Sequence, residues 1–304
     1  MNKNHFLVIF LSAIWAGQFL LIHAATQEIS PFTTGVAVRF GTFIILSIAL
    51  FCGGGLSRLL HLNGAGAKLF CVGVLGFLLD ATSFIGFRYS SADTGTVLLK
   101  TDVLMANFMT IYICKHHFKK LDWFFTTTIL VGVFLVLGIN PYDLHFQPFD
   151  IFFILSAFFV TLNAFLIQHI QSRYGTPNTI IAYYNNLFTL ILFAAVTTAL
   201  GLWGELTGLG GNPTIVAILA SGAVTQTLIY VFYYKCLARL PVYLIKILLL
   251  LIPVFSMLFN VLVMKRGLTW MHLAGSVMVL GSAFAILYFG RNRTAQPAPD
   301  SAHK

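Results

Sequence analysis

Apolar runs separated by short polar turns recur along the chain. They lie at about 6–25, 32–51, 69–87, 94–113 and 123–140, and again at about 151–170, 178–203, 213–234, 242–264 and 271–289. As helix, each run is long enough to cross a hydrocarbon core roughly 30 Å thick. None shows the ten-residue alternation of a transmembrane barrel strand. The pattern predicts an all-α membrane protein of ten transmembrane helices that uses nearly all of the 304 residues. Little is left for an appended soluble module. The first run is too long for a cleavable signal, and no small-residue cleavage site precedes Thr26-Gln27-Glu28.

The runs divide near residue 150 into two sets of five: a first repeat over 1–150 and a second over 151–290. A tail over 291–304, with Pro297 and Pro299, reads as disordered. Five is odd, so the second set starts on the opposite membrane face from the first. Likeness between the sets therefore implies an inverted-topology repeat. Lys119-Lys120-Leu121-Asp122-Trp123 recurs as Lys265-Arg266-Gly267-Leu268-Thr269-Trp270, each before the fifth span of its set. Arg88-Tyr89-Ser90-Ser91-Ala92 and Arg239-Leu240-Pro241-Val242 each enter a fourth span.

Composition agrees with the lipid bilayer as the main environment: 58% hydrophobic and 9% charged residues, with mean hydropathy +0.88. The net charge of +9 reflects topology. With the N-terminus inside, Arg58, Lys68, Lys115, Lys119, Lys120, Arg173, Lys235, Arg239, Arg291 and Arg293 join Lys3 and Lys304 on the cytoplasmic side. Only Arg88, Lys265 and Arg266 fall outside. That bias matches the positive-inside rule, and an even number of spans returns the C-terminus to the cytoplasm; the expected location is a bacterial inner membrane. It argues against a nucleic-acid partner, and it leaves a homodimer open. Cys52, Cys71, Cys114 and Cys236 are scattered and read as reduced packing residues.

Trp15-Ala16-Gly17-Gln18-Phe19 with Pro31 and Arg39, the Arg88–Ala92 entry, and Leu251-Ile252-Pro253-Val254-Phe255 with Lys265–Thr269 and Gly275 together resemble the drug/metabolite transporter superfamily, in its ten-helix EamA-like branch. The likeness spans essentially the whole chain. It implies a secondary transporter with a central cavity between two repeats, where the fourth and ninth helices cross and the fifth and tenth lie outside. The chain departs from that family's pattern where Asp102-Val103-Leu104 replaces a mid-helix proline. It departs again where basic residues or histidine replace glutamate before the fifth and tenth helices. Tyr183-Tyr184-Asn185-Asn186 resembles a motif in the seventh helix of nucleotide-sugar transporters of the same superfamily.

Four charges lie deep in apolar runs: Asp80, Lys100, Asp102 and Lys246. Each costs at least ~2.5–3.5 kcal/mol at mid-membrane unless paired or used. Asp80 and Lys100 are about equally far from the Ser90–Ser91 turn, which puts both roughly 15 Å deep in an antiparallel hairpin. Asp80 can meet either Lys100 or Asp102, and Asp80–Lys100 is the expected pair. On a continuous helix Lys100 and Asp102 would face nearly opposite ways. Lys246 either joins the cavity, on a stripe with Pro253, Met257 and Asn260, or snorkels to the headgroups. Arg39 is expected to be structural.

Trp15, Gln18 and Phe19 share one face, Asn163 lies on a face with Val160 and Ile167, and Gln226 and Tyr230 are one turn apart. The substrate-contact candidates are therefore Lys100, Lys246, Trp15, Gln18, Asn163, Asn186, Gln226 and Tyr230. Asp80 and Asp102 are the candidate proton-coupling carboxylates. No cofactor is expected and no metal: Lys115, Lys119 and Lys120 surround His116-His117, and Gly53-Gly54-Gly55 lacks the Lys-Ser/Thr of a phosphate loop. The expectation is a non-enzymatic transporter of a small polar metabolite, anionic or zwitterionic, by proton-coupled export. The alternatives are an exchanger of phosphorylated or nucleotide-linked metabolites, and an intramembrane enzyme built on Asp80 and Asp102.

Overall fold

The computed structural model describes residues 3–53, 55, 59, 62, 64–90, 92–115, 120–136, 147–264 and 269–291. The tail after 291, His116-His117, and most of the paired basic motifs before the fifth and tenth spans lie outside them. The helices are α1 (Lys3–Glu28), α2 (Pro31–Cys52), α3 (Gly66–Tyr89), α4 (Ala92–Leu99), α5 (Asp102–Cys114), α6 (Lys120–Val136) and α7 (Ile151–Tyr174). They continue as α8 (Asn178–Ala199), α9 (Trp203–Gly208), α10 (Pro213–Leu237), α11 (Val242–Leu248), α12 (Ile252–Met264) and α13 (Trp270–Arg291). No strand occurs among the described residues. Among the described residues these helices make ten spans: α4 with α5 forms the fourth, α11 with α12 forms the ninth, and α9 is a short helix between the seventh and eighth.

Local chemistry sets the helix starts and stops. Ser30 caps α2 by accepting from the Thr33 N–H, with Pro31 at the first helical position. Asn212 and Pro213 start α10 in the same way. Gly175, at φ 60°, ends α7 in the left-handed conformation that glycine adopts without strain.

Contacts between helices obey a pseudo-two-fold relation. α3 packs on α7, and their counterparts in the other repeat, α10 and α1, pack on each other. α2 meets its counterpart α8, and α6 meets its counterpart α13. The fold is two inverted five-helix repeats, interlocked so that each packs mainly on the other. At the α6–α13 crossing the backbones touch: a Cβ on Gly275 would lie 2.5 Å from the Val136 amide nitrogen and 2.6 Å from the Gly132 carbonyl oxygen. Lipid tails are as apolar as leucine, so close backbone approach at small residues is what holds such a pair together.

The fourth and ninth spans are broken; the continuous run at 94–113 did not anticipate the first break, whereas Pro253 marks the second as a place where a backbone hydrogen bond is lost. At Lys100 and Thr101 the bonding tightens to three-residue steps, Lys100 N–H to Val97 O (2.9 Å) and Thr101 N–H to Leu98 O (3.1 Å). The Thr101 hydroxyl donates to the same Leu98 carbonyl at 2.7 Å. In the ninth span, Leu249–Leu251 form a 3-10 turn. Pro253, two residues further on, has no N–H to offer the Leu249 carbonyl, which loosens the helix there. The two breaks occupy equivalent places in the two repeats.

Candidate functional site

A cavity of about 100 Å³ lies where the repeats meet, bordered by α1, α2, α3, α7, α8, α10 and both broken spans. Trp15, Gln18, Phe19, Asp80, Lys100, Asp102, Asn163, Gln226 and Tyr230 all border it. Lys246 and Asn186 do not. Arg39, Asn185, Tyr233 and Tyr234 are lining residues that the substrate-contact reading left out.

The charges pair differently from the hairpin expectation. Asp80 is bonded to Arg39 of α2, whose Nε donates to Oδ2 at 2.8 Å and whose guanidinium also donates from its second nitrogen. Arg39 also donates to the Tyr230 hydroxyl and to Asn186 Oδ1, and Asn186 returns a bond to the Arg39 carbonyl at 3.0 Å. Asn186 thus positions Arg39 from behind. Equal depth along a hairpin did not decide the partner of Asp80, because α2 brings a fork-shaped cation with several donors to the same carboxylate.

Asp102 pairs with Lys246, whose Nζ donates to Oδ2 at 2.9 Å. Lys246 is 1% exposed, so it neither snorkels to the headgroups nor borders the cavity. Each partner sits at the broken end of a half-helix: Asp102 begins α5, and Lys246 is in the last turn of α11. Helix N-termini favour anions and C-termini favour cations, so both half-helices support this pair. The break also undoes the expectation that Lys100 and Asp102 face apart, since both border the cavity.

Lys100 is left over. It is 4% exposed, and among the described residues no carboxylate lies within salt-bridge distance of it. Its Nζ stands 5.6 Å from the centre of the Phe19 ring, an arrangement that attracts a cation without neutralising it. Among the described residues, the charges at the cavity and just behind it are Arg39, Lys100 and Lys246 against Asp80 and Asp102. Three positive and two negative leave one net positive charge, at Lys100.

Neutral polar groups complete the wall. Gln18 donates to Gln226 Oε1 at 3.4 Å and accepts from the Thr225 hydroxyl. Asn163 carries a buried amide oxygen with no partner among the described residues. Trp15 and Tyr233 meet edge to face at 5.2 Å. This lining can hold an anion at Lys100, accept a hydrogen bond at Asn163 and flank a flat or apolar body.

Polar ties close the helix ends on both faces. At the Arg88 face, Gln27 donates to the Phe87 carbonyl at 3.0 Å, Arg88 donates to the Thr26 carbonyl at 2.6 Å, and the Ser30 N–H donates to Glu205 at 2.9 Å. At the Lys235 face, Gln168 and Gln171 donate to the carbonyls of Leu237 and Tyr234 at 2.8 and 2.9 Å. Free thiols occur at Cys52, Cys71 and Cys236, the first two on the exterior rather than in the packed interior.

Inverted five-helix repeats with broken helices meeting at a polar mid-membrane cavity define a multi-pass membrane transporter. The profile of the EamA-like transporter family matches residues 2–138 and 147–288. The chain belongs to that family. Two relatives from Archaeoglobus fulgidus, each named "Uncharacterized transporter", are similar to it. One is 21% identical over 93% of this chain and 96% of its own length, the other 25% identical over 89% and 81%. A solved crystal structure superposes with a TM-score of 0.75 at 15% identity, covering 97% of this chain and 100% of its own.

Proposed function

We propose that the protein is a secondary transporter that exports a small anionic or zwitterionic metabolite across a bacterial inner membrane, with both termini in the cytoplasm. The observation that carries this reading is Lys100, an unpaired buried cation at the break of the fourth span. An intramembrane ammonium that makes no salt bridge is costly, and a bound anion would supply the direct contact that Asp102, engaged by Lys246, does not. The absence of any phosphate-binding loop in the sequence speaks for gradient-driven movement rather than ATP hydrolysis. Intramembrane catalysis by Asp80 and Asp102 is disfavoured, because each carboxylate is engaged by a different cation.

Proton coupling through Asp80 or Asp102 accounts for net export. Obligatory exchange of one anion for another is a second reading, favoured by the fact that both carboxylates already have cationic partners. Purified protein in liposomes, offered a panel of labelled metabolites, separates them. Uptake driven by an imposed pH gradient supports coupling, and uptake that requires a counter-anion inside supports exchange. If no anion or zwitterion is moved while a cation is, the assignment to Lys100 fails.

A further inference from the structure

A second cavity, of about 470 Å³, lies between α2, α8 and α10 at the Lys235 end of the bundle. Its deeper wall is apolar, from Leu46, Ala182 and Val231, and its outer end carries Thr179, Lys235 and Arg239. The depth order follows from the helices: Lys235 and Arg239 mark the end of α10, Thr179 is in the first turn of α8, and the apolar residues lie further into their spans.

The cavity adjoins an exposed apolar stripe, with Val231 common to both. Val224, Leu228 and Val231 are exposed on one stripe of α10, and Lys235 continues that stripe one turn nearer the helix end. In a membrane-spanning chain such a stripe faces hydrocarbon. A cleft with an apolar floor on the lipid side and two cations at headgroup level matches one ligand chemistry in both parts. Basic pockets between spans hold the phosphate of anionic lipids. The α8 N-terminus, which no side chain caps, adds partial positive charge at the same end.

We propose that this cleft binds an anionic phospholipid, with the phosphate at Lys235 and Arg239 and an acyl chain lying along Val231, Leu228 and Val224. The site is separate from the central cavity and does not depend on what that cavity carries. Tyr230 stands between the two, bordering both.

The test is native mass spectrometry of the full-length protein in detergent, titrated with phosphatidylglycerol or with phosphatidylcholine of the same chains. The parent should retain phosphatidylglycerol at roughly tenfold lower concentration than phosphatidylcholine. Lys235→Gln with Arg239→Gln should erase that preference, and Lys235→Gln alone should reduce it. Val231→Trp, which fills the cleft and keeps both charges, should weaken retention of the anionic lipid. Equal retention of the two lipids by the parent, or undiminished preference in the double variant, would overturn the proposal. Full displacement of the lipid by excess inorganic phosphate would also overturn it, by marking a site for a soluble anion.

Discussion

Lys246 and Asp102 join the two broken spans directly, end to end, with 2.9 Å between ammonium and carboxylate. Removing one partner strands the other charge in the membrane interior. Asp102→Asn should lower stability by about 3–5 kcal/mol, the range for breaking a buried pair. Asp102→Leu combined with Lys246→Met should recover most of that stability, because replacing both charges leaves nothing unpaired. Thermal unfolding in detergent checks both. A double variant as unstable as the single one would show that the pair does more than neutralise itself.

Lys100 should behave in the opposite way. Lys100→Met removes a charge that lacks a partner, so the folded protein should be at least as stable as the parent. Transport of an anionic substrate should fall roughly tenfold or more, the worth of one charge-assisted hydrogen bond. Parallel measurement of unfolding temperature and liposome uptake separates this result from simple misfolding.

The α6–α13 crossing gives a prediction with its own control. Gly275→Ala puts a methyl group against backbone that has no side chain to swing away, and should cost about 1–3 kcal/mol through overpacking. Gly281 lies on the same helix with nothing within 4 Å of its added Cβ. Gly281→Ala should be neutral or slightly stabilising, since alanine is the better helix former by up to about 1 kcal/mol. Equal effects of the two changes would refute close backbone packing as the cause.

The tie between Glu205 and the start of α2 should loosen in acid. Partial burial favours the protonated carboxyl, but hydrogen bonds from Thr33 and Ser30 outweigh it and hold the group below its ordinary value. A folded-state value below the unfolded one contributes fully above the ordinary value of about 4.3 and fades as pH falls through the lowered one. Protection of the Ser30 amide relative to its intrinsic exchange rate should stay constant from neutral pH to about 5 and fall only in stronger acid. Glu205→Gln should remove the acid step.

The spans are legible from periodicity within each run and their inversion from the odd number in each set, and eight of the ten site candidates border the cavity. Trp15 with Gln18, and Gln226 with Tyr230, lie on the faces their spacing implies. Pairing across helices was less legible. Depth counting brought Asp80 level with Lys100, yet nothing in the spacing of residues along α3 and α4 reports that α2 approaches Asp80 with Arg39. The break at Thr101 carries no glycine or proline to announce it; a hydroxyl that captures a carbonyl is too common a feature to read in advance. In the ninth span Pro253 did mark the weak point, although the distortion falls just before it.

The two ion pairs also differ in how far apart their members are synthesised. Arg39 and Asp80 are 41 residues apart, within one repeat, so they can meet as soon as the third span has entered the bilayer. Asp102 must wait for Lys246, 144 residues later. During that interval the fourth span holds an aspartate and a lysine at a depth where each is penalised by about 2.5–3.5 kcal/mol on the insertion scale. A nascent chain stopped after the first repeat should therefore hold its fourth span less firmly in lipid than one that has reached the ninth, where Lys246 meets Asp102.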